Sequence, residues 1–570
     1  MPRYALLATH STGQPGPEAG AATAVVQFVD AQAEPEGPAI LVFRGQLPAV
    51  VADIEARGVR WVWESTVDWY PRLLAAGSRV ERAHDLTLCR NIIRHSTSTL
   101  DTGYVRALRR EAAPATGAEP PQALLPPRPP ENQGTLFEEP KAAGGSAETL
   151  AQEFADQLAA VPRSLRGRRL QLLLAAESAG ALAASEMQHH GIPWRRDIHE
   201  ALLLEALGPR TAPGIRPARL EDAARELRTS LNAPALNPDS SQELLRALHR
   251  AGINTKSTSQ WELQEFSHPA LGPLARYKKL SRLLTANGWT WLDAWVAGGR
   301  FRPEYVVGGG VTGRWSSRGG GAMQIPHTVR DAARADPGHR LVVADAAQLE
   351  PRILAVLAND DALADAARGR DLYQGIADLG FGGDRASAKV AMLGAMYGAT
   401  TGEAGRLMPQ LTRTFPKAVG VVEHAARVGE AGGTVCTFLG RCSPPASEAW
   451  LAAQRTSDAE EQRRADQMAR TRGRFTRNFV VQGTAAEWAL CWLGELRRRL
   501  HAERLSGRDT GGLAFFLHDE VVLHVPTGRA EAAAGIAQDA ATAAAELMFG
   551  RTPVEFPVGV AVVESYANAK

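Results

Sequence analysis

The stretch RLVVADAAQLEPRILAVLAND, from Arg340 to Asp360, decides how the second half of the chain folds. Leu341–Ala344 is an apolar run of the kind that forms a buried strand, and Asp345 ends it. A helix is expected to follow, with Glu350 in its first turn. A carboxylate at the end of a buried strand needs a partner, because burying a lone charge is costly. Asp345 is therefore either a ligand for a cation or the N-cap of the next helix.

A second acidic segment, GGLAFFLHDEVVLHVP (residues 511–526), has two apolar runs around the triplet His518, Asp519 and Glu520. This pattern predicts a β-hairpin with acidic residues at its tip. An exposed acidic turn is one interpretation. If the hairpin instead lies beside Asp345, the two aspartates need a cation between them to stay ionised together. Oxygen ligands suit Mg²⁺, and two ions about 4 Å apart would stabilise the attacking and leaving oxygens of an in-line displacement.

The segment DRASAKVAMLGAMYG (residues 384–398) predicts a helix that carries Arg385, Lys389, Leu393 and Tyr397 at spacings of four. Two cations at such a spacing cost an isolated helix about 0.2–0.5 kcal/mol, which suggests an anion between them, and a triphosphate fits. Small residues on both sides of Tyr397 would let a base approach its ring. A surface helix with scattered cations is the alternative.

Two further segments point to nucleic acid. VTGRWSSRGGGAMQIP (residues 311–326) has glycines that could cradle a phosphate, although a glycine-rich turn alone is weak evidence. EQRRADQMARTRGRFTRNFVVQGTAAEW (residues 461–488) holds six arginines, a local basic patch that the net charge of +2 hides. Three of its residues share one helix face and could contact phosphates, sugars or base edges: Arg474, Asn478 and Gln482. A solvated basic helix is the alternative.

Composition is that of an ordinary globular protein of several domains, with 570 residues, 44% hydrophobic and 22% charged. Mainly disordered, collagen-like and coiled-coil chains are excluded. The four cysteines lack zinc-ligand spacing and predict reduced thiols in a cytosolic protein: Cys89, Cys436, Cys442 and Cys491. The N-terminus lacks the apolar core of a signal peptide, and no stretch near 20 apolar residues predicts a membrane span.

Composition also changes along the chain. The first 110 residues predict a small α/β unit with strands and helices at Tyr4–Ala8, Ala24–Val29, Ile40–Phe43, Val50–Ala56 and Trp69–Ala75. Residues 111–150, rich in Pro, Gly, Ala and Glu, predict a flexible linker. A helical region follows, with one long amphipathic helix ending at Gly191 and another capped by Asp239 or Ser240.

Taken in order, TGRWSS, DAAQLEPR, RASAKVAMLGAMYG, NFVVQGTAAEW and HDE resemble the motifs of family A DNA polymerases, the class of bacterial DNA polymerase I. Five motifs in order over residues 312–520 are specific, and the resemblance covers about residues 176–570. It implies an α+β multidomain fold of the shorter bacterial type: a right-hand polymerase with an antiparallel palm sheet and helical fingers and thumb, preceded by a small α/β domain of the RNase H-like exonuclease type. The expected domains are an exonuclease-like domain at 1–110, the linker at 111–150, lead-in and thumb at 151–300, and palm and fingers at 301–570, with the fingers at about 360–450.

The resemblance implies template-directed addition of dNTPs to a primer 3′-hydroxyl by two-Mg²⁺ nucleotidyl transfer, with Mn²⁺ able to substitute, in DNA replication or repair. Asp345 and Asp519 would hold the ions, with help from the carbonyl of Ala346, and Glu520 would support them. Lys389 would also protonate the leaving pyrophosphate. The nucleotide would be bound by Arg385, Lys389, Tyr397, Glu350 and Leu393, with Glu350 filling the space of a ribose 2′-hydroxyl. The DNA would be contacted by Arg314, Arg474, Asn478, Gln482 and His518.

Several residues depart from the family pattern. Leu393 replaces the usual aromatic residue, so sugar discrimination is expected to change. Ala346 and Ala347 stand where the family has Tyr-Ser. The first strand of the N-terminal unit lacks the Asp-x-Glu of the exonuclease, and Asp85 has no evident acidic partners. We therefore expect an active polymerase with an inactive exonuclease-like domain.

The linker contains QGTLF, in which Gln133, Leu136 and Phe137 resemble the peptide that binds the bacterial sliding clamp. The other expected partners are primer–template DNA and dNTPs, for a monomeric protein that is cytoplasmic and nucleoid-associated. Two alternative functions stay open. A phage-type single-subunit RNA polymerase is disfavoured by Glu350 and the HDE triplet, and a catalytically lapsed DNA-binding scaffold is disfavoured by two aspartates kept together.

Overall fold

The computed structural model describes residues 4–10, 22–43, 45–111, 145–212, 214–255, 257–258, 263, 266–318, 321, 325–369, 371–399 and 402–569. The chain divides into two compact units. The larger unit comprises Met1–His190, Tyr305–Arg318 and Val342–Val562, and the smaller unit comprises Gly191–Glu304, Gly319–Leu341 and Val563–Lys570. These units are not the four domains expected above, whose boundaries stay predictions.

The larger unit begins with a five-stranded sheet in the order β3-β2-β1-β4-β5. Its strands are β1 (Tyr4–Thr9), β2 (Ala22–Val29), β3 (Ile40–Phe43), β4 (Arg60–Trp63) and β5 (Ala83–Asp85). The first three strands pair antiparallel, whereas β4 runs parallel to β1 and β5 runs parallel to β4. The helices that connect and follow the strands are α1 (Leu47–Glu55), α2 (Thr66–Ala75), α3 (Leu86–Ile93) and α4 (Gly103–Glu111). The strands and helices predicted in this segment are therefore present.

Two further helices complete the N-terminal part, α5 (Ala147–Ala160) and α6 (Leu165–His190). The smaller unit follows with β6 (Ile192–Pro193), α7 (Arg196–Leu207), α8 (Ala218–Ser230), α9 (Ser241–Arg250), α10 (Leu271–Asn287), α11 (Trp289–Trp295), β7 (Val296–Ala297) and β8 (Arg300–Phe301). Ser240, one of the two predicted N-caps of α9, accepts a hydrogen bond from the backbone N–H of Glu243. Trp194, Trp291 and Phe301 pack together in the core of this unit.

The rest of the chain contains β9 (Tyr305–Val306), β10 (Ser316–Ser317), β11 (His339–Ala346), α12 (Leu349–Ala358), α13 (Asp361–Ala367), α14 (Leu372–Gly380), α15 (Arg385–Tyr397), α16 (Gly402–Thr414), α17 (Pro416–Glu430), α18 (Glu448–Ala453), α19 (Ala459–Leu505), β12 (Gly512–Leu517), β13 (Glu520–Pro526), α20 (Ala530–Phe549) and β14 (Val558–Val563). Short 3₁₀ helices lie at His327–Ala332, Thr527–Arg529 and Tyr566–Ala569. The sheet order β12-β13-β11-β14 places the predicted strand at the centre of the second sheet, beside the predicted hairpin.

The long helix α6 differs from the prediction. Its sequence was expected to be amphipathic, yet every residue from Gly180 to Met187 is buried. The reason is that α2 and β5 pack on α6 together with α19 and β12. A helix that is covered on several sides needs no polar face. Among the described residues, no helix is both long enough and apolar enough to cross a bilayer.

The cysteine prediction is wrong for one pair. Cys436 and Cys442 form a disulfide, whereas Cys89 and Cys491 are buried free thiols. A tight backbone loop brings the pair together, since the N–H of Thr437 donates to the carbonyl of Arg441 at 2.8 Å. Four cysteines in 570 residues, none with zinc-ligand spacing, predict no disulfide framework, but a single disulfide across a six-residue separation needs only a tight loop.

Candidate active site

One of the two aspartates of the sequence motifs lies at the end of a strand, and the other lies in the turn of the neighbouring hairpin. Asp345 is the penultimate residue of β11, and Asp519 lies in the turn of the β12–β13 hairpin, which Leu517 and Glu520 close as a pair. The backbone N–H of Ala346 donates to the backbone carbonyl of Asp519 at 3.0 Å. This bond places the backbones of the two aspartates side by side where the hairpin turn meets the end of the central strand β11, with both residues half-exposed.

A buried arginine fixes the backbone turn after Asp345 by donating to backbone carbonyls. The N-cap of α12 is Gln348, in the left-handed region with φ of 47°, so the alternative that Asp345 caps this helix is wrong. Arg352, only 1% exposed, donates from Nε to the carbonyl of Ala347 at 3.0 Å. Its Nη1 donates to the carbonyls of Ala367 and Glu555 at 3.1 and 2.9 Å.

The donors at this edge are of the kind that hard divalent cations prefer. The carboxylates of Asp345 and Asp519 and the carbonyl of Ala346 are all oxygen ligands, while Glu520 is 2% exposed at the start of β13. Among the described residues, no group of three or more His, Cys, Asp and Glu could hold a metal by itself.

Glu350 joins two other residues that the sequence singled out. Arg314 donates from Nη2 to one carboxylate oxygen of Glu350, and the Tyr397 hydroxyl donates to the other at 2.8 Å. Burial and the charge of Glu350 raise the pKa of Tyr397 above its usual range. The residue before Arg314 needs to be a glycine. The φ of Gly313 is 86°, in the left-handed region, and a Cβ on Gly313 would lie 2.5 Å from Nε of Arg441.

The two cations of α15, Arg385 and Lys389, have acidic and aromatic neighbours that the sequence did not predict. Arg385 forms an ion pair with Asp371, Nε–Oδ1 3.1 Å and Nη2–Oδ2 2.8 Å, which raises the pKa of the arginine. The ring of Tyr373 lies 5.6 Å from the Arg385 guanidinium carbon and 6.0 Å from Nζ of Lys389. Asp371 also caps α14 by accepting from Gln374 N–H, and this local role is all that its sequence position indicates. Leu393, on the same stripe, is half-buried.

A cavity of about 70 Å³ brings four of the five motifs together. Its walls include Arg314, Glu350, Ala485, His518 and Asp519. Burial and the nearby positive charge of Arg314 lower the pKa of His518, whose φ of 59° is left-handed. The motif that is missing from these walls is that of α15, although its Tyr397 donates to Glu350, which does line the cavity.

The predicted DNA-contacting face of α19 contacts the glycine-rich segment before Arg314 through one hydrogen bond. Gln482 accepts a hydrogen bond from Thr312 Oγ1 at 2.9 Å, and Arg474 donates to Thr471 Oγ1 at 3.0 Å. Asn478 is half-buried and Arg474 is exposed. The basic patch is smaller than predicted, because Arg477 is buried and donates to the carbonyl of Ala395 at 2.9 Å and to Glu423.

Asp85, the one acid of the N-terminal unit with a family counterpart, has a structural environment. It is 2% exposed, and its carboxylate accepts from the backbone N–H groups of Thr66 and Leu88 at 2.7 and 2.9 Å. Burial raises its pKa. Gln133, Leu136 and Phe137 of the clamp-like peptide lie outside the described residues.

The motif order, the sheet and the paired aspartates agree with a comparison against protein families. Residues 216–568 match the model of DNA polymerase family A, more than half of the chain, and the chain belongs to that family. The resemblance read from the motifs is thereby confirmed.

Individual relatives show the same relationship. The chain is 27% identical over 354 residues to the thermostable DNA polymerase I of Thermus aquaticus, covering 56% of this chain and 39% of that protein. It is 27% identical over 310 residues to DNA polymerase I of Chloroflexus aurantiacus, covering 49% and 31%. The chain thus matches less than two fifths of the length of each relative.

The solved structures provide a fold match. The polymerase domain of Pol1 from M. smegmatis, solved in complex with DNA primer-template and dNTP, superposes with a TM-score of 0.66 at 20% identity, over 100% of this chain and 96% of that one. At this identity the match establishes the α+β polymerase-domain fold.

Proposed function

We propose that this protein is a DNA-directed DNA polymerase that adds dNTPs to a primer 3′-hydroxyl under the direction of a template. The observation that carries the proposal is the proximity of Asp345 and Asp519 at the end of the central strand β11, through the Ala346–Asp519 backbone bond. Family membership supports it, as do the DNA primer-template and dNTP in the complex of the M. smegmatis domain.

Asp345, Asp519 and the carbonyl of Ala346 would hold the divalent cations, for which Mg²⁺ is the natural choice given an all-oxygen donor set. When bound, such ions stabilise negative charge on the attacking and leaving oxygens. The primer 3′-oxygen forms a bond to the α-phosphorus as it loses its proton, and the bond from that phosphorus to the bridging oxygen of pyrophosphate breaks. Catalysis of this kind depends on positioning and electrostatics.

The cations of α15 supply the charge that a triphosphate needs. Arg385 presents a planar fork that can bind phosphate oxygens, and Lys389 offers a compact charge and a proton for the pyrophosphate leaving group. Tyr397 is 43% exposed and would lie against the new base pair. Glu350 is held between Arg314 and Tyr397, where its carboxylate would occupy the volume of a ribose 2′-hydroxyl.

The N-terminal unit is proposed to have no 3′–5′ exonuclease activity. Its first strand, YALLAT, carries no acid, and the carboxylate of Asp85 is used as a buried helix cap. The clamp-binding peptide and the monomeric state also stay proposals. The family match disfavours the RNA polymerase alternative. The two neighbouring aspartates disfavour the scaffold alternative, because their carboxylates repel each other and a protein without catalytic activity has no reason to retain both.

The test is primer extension on a labelled primer–template with Mg²⁺ and either dNTPs or rNTPs. The matched variant is Asp519→Asn, which keeps the size of the side chain and removes the charge. Extension with dNTPs by the parent and its loss in the variant are expected. Extension by both proteins would overturn the assignment of Asp519, and extension by neither would favour the scaffold. A lane without dNTPs reports exonuclease activity as shortening of the primer.

A further inference from the structure

A disulfide closes a short loop that lies between α17 and α18. Cys436 and Cys442, six positions apart, are joined through their sulfur atoms and also form an isolated antiparallel bridge. Inside the loop, the N–H of Thr437 donates to the carbonyl of Arg441 at 2.8 Å, and the N–H of Arg441 donates to the Thr437 hydroxyl at 3.0 Å. The disulfide and these two hydrogen bonds hold the backbone of Arg441 in place.

The loop directs the side chain of Arg441 to a buried carboxylate. Nη2 of Arg441 donates to Glu177 at 2.6 Å, and the two side chains are 12% and 2% exposed. Among the described residues, the buried Nε of Arg441 has no hydrogen-bond partner. One ion pair and the backbone of the loop therefore determine where this guanidinium lies.

The Glu177–Arg441 pair lies against the glycine-rich segment that leads to Arg314. A Cβ on Gly308 would lie 2.3 Å from Oε1 of Glu177. A Cβ on Gly313 would lie 2.5 Å from Nε of Arg441. Since each glycine touches one member of the pair, a displacement of Arg441 changes the packing of the backbone directly before Arg314.

Arg314 connects this segment to the candidate active site. Its side chain donates to Glu350, whose other carboxylate oxygen accepts from the Tyr397 hydroxyl at 2.8 Å. An unbroken series of contacts thus joins the disulfide to the carboxylate that would exclude a ribose 2′-hydroxyl. Close-packed interiors transmit displacements of this kind, because they contain few voids that could absorb them.

The two sulfur atoms of the disulfide differ in exposure. Cys436 is half-buried, whereas Cys442 is 5% exposed. The backbone N–H of Thr97 donates to Sγ of Cys442 at 3.3 Å, and the Thr97 hydroxyl lies 3.4 Å from Sγ of Cys436. Exchange requires access to one sulfur and stabilisation of the thiolate that leaves on the other. Cys436 provides the access, and the Thr97 N–H stabilises a thiolate on Cys442.

We propose that the Cys436–Cys442 disulfide is a site of thiol–disulfide exchange with dithiol reductants, and that its redox state determines how firmly Arg441 positions Arg314. One thiolate of the reductant bonds to Sγ of Cys436 as the disulfide breaks, and Cys442 leaves as a thiolate. The second thiol of the reductant then displaces Cys436 and closes a disulfide in the reductant. In total, the two cysteines gain two electrons and two protons, and the reductant loses the same number of each.

The functional consequence rests on the proposed polymerase function. Arg314 is one of the two donors that hold Glu350, so a less firmly held Arg314 should weaken the exclusion of a ribose 2′-hydroxyl. The ratio of dNTP to rNTP incorporation measures this effect. Because both rates come from the same active molecules, the ratio does not change when part of the protein unfolds. A general loss of stability on reduction would therefore leave it unchanged.

The experiment compares the full chain in its oxidised form with the same protein after reduction by dithiothreitol. Alkylation of free thiols followed by mass spectrometry determines the redox state of Cys436 and Cys442. Single-turnover incorporation gives the ratio of dNTP to rNTP, which is expected to decrease at least about threefold on reduction, since small displacements of positioning groups change rates by up to about 100-fold. Hydrogen exchange, measured without nucleotide, is expected to become faster in residues 308–314.

Two variants test the separate steps. Cys436→Ser with Cys442→Ser is expected to show the ratio of the reduced parent and no response to dithiothreitol. This variant retains Cys89 and Cys491, so it also reports any effect of the reductant on the buried free thiols. Glu177→Gln, which keeps the size of the side chain and removes its charge, is expected to lower the ratio in the oxidised protein as well.

An unchanged ratio after complete reduction would overturn the proposal, as would unchanged hydrogen exchange in residues 308–314. So would free thiols at both positions after treatment with oxidised glutathione, or a response to dithiothreitol that persists in the double serine variant. A Glu177→Gln variant with the ratio of the oxidised parent would show that Arg441 does not position Arg314. The polymerase proposal fails separately, if neither redox form extends a primer while the hydrogen exchange of residues 308–314 still depends on the disulfide.

Discussion

Arg385 at the start of α15 forms an ion pair with Asp371 at the start of α14, with Nε–Oδ1 at 3.1 Å and Nη2–Oδ2 at 2.8 Å. Gln348 donates to the same carboxylate at 3.0 Å. The pair occupies Nε and Nη2 of Arg385. If Arg385 binds the triphosphate as proposed, Asp371 competes with the nucleotide for this guanidinium.

Replacing Asp371 with Asn should make nucleotide binding tighter. The two side chains are 47% and 34% exposed, so their pair contributes only about 0.2–1 kcal/mol. Its loss would lower the KM for dNTP by up to about fivefold, with kcat unchanged. Steady-state primer extension checks this. Asn retains the acceptor that caps α14, whereas Asp371→Ala removes both the pair and the cap. A higher KM in the Asn variant would show instead that Asp371 positions Arg385 for the substrate.

Glu350→Ala should relax discrimination against rNTPs, because it empties the volume that the Glu350 carboxylate occupies between Arg314 and Tyr397. The preference for dNTP over rNTP is expected to decrease by at least about tenfold, which corresponds to about 1.4 kcal/mol. Single-turnover incorporation of each nucleotide gives the ratio. Tyr397→Phe is the control, since it removes the 2.8 Å hydrogen bond and leaves Glu350 in place. An unchanged ratio in Glu350→Ala would mean that another residue excludes the 2′-hydroxyl.

The features that the sequence predicted well are those encoded by neighbours along the chain. The strand before Asp345 and the hairpin around Asp519 follow from apolar runs and a two-residue turn, and both were found. The stripe from Arg385 to Tyr397 follows from helical periodicity and is the helix α15. Short-range patterns of this kind depend on the chain's own period and need no knowledge of what packs on them.

The features that the sequence did not predict depend on distant partners. The Glu177–Arg441 ion pair beside Gly313 joins residues 264 positions apart, and no local pattern marks either residue. The strands Arg60–Trp63 and Ala83–Asp85 were missed because both are short and buried, so they show no alternation of polar and apolar residues. The burial of α6 likewise follows from elements that come before and after it in the chain.

Glu487 should give the stability of the protein a measurable pH dependence. Burial raises the pKa of this fully buried carboxyl to about 7, although it accepts hydrogen bonds from Thr437 and from the backbone N–H of Leu439. Because the folded-state pKa exceeds the ordinary value of 4.5, the folded state holds the proton more tightly. The resulting stabilisation is complete below pH 4.5, decreases as the pH rises from there, and is lost above about pH 7.

Glu487→Gln should therefore flatten the change in Tm between pH 5 and pH 8. At pH 8 it should increase the free energy of unfolding by about 1–3 kcal/mol and so raise the Tm. Thermal melts at four pH values in that interval check the prediction. Asp466→Asn, which alters an exposed acid on the same helix, is the control and should leave the profile of the parent unchanged. A Gln variant with the pH profile of the parent would rule Glu487 out as its source.

Arg352→Met should destabilise the protein and slow catalysis together. The substitution keeps an unbranched stem of similar length and removes the donors to the carbonyls of Ala347, Ala367 and Glu555. Each buried acceptor left without a partner costs about 1–3 kcal/mol, so a decrease in Tm of several degrees is expected. Since Ala347 lies two residues after Asp345, loss of its anchor should also lower kcat, measured by primer extension below the melting transition. Arg368→Met, which removes only an exposed pair with Asp365, is the matched control and should change neither quantity. If Arg352→Met lowers Tm without lowering kcat, the arginine holds the fold but does not position the aspartate.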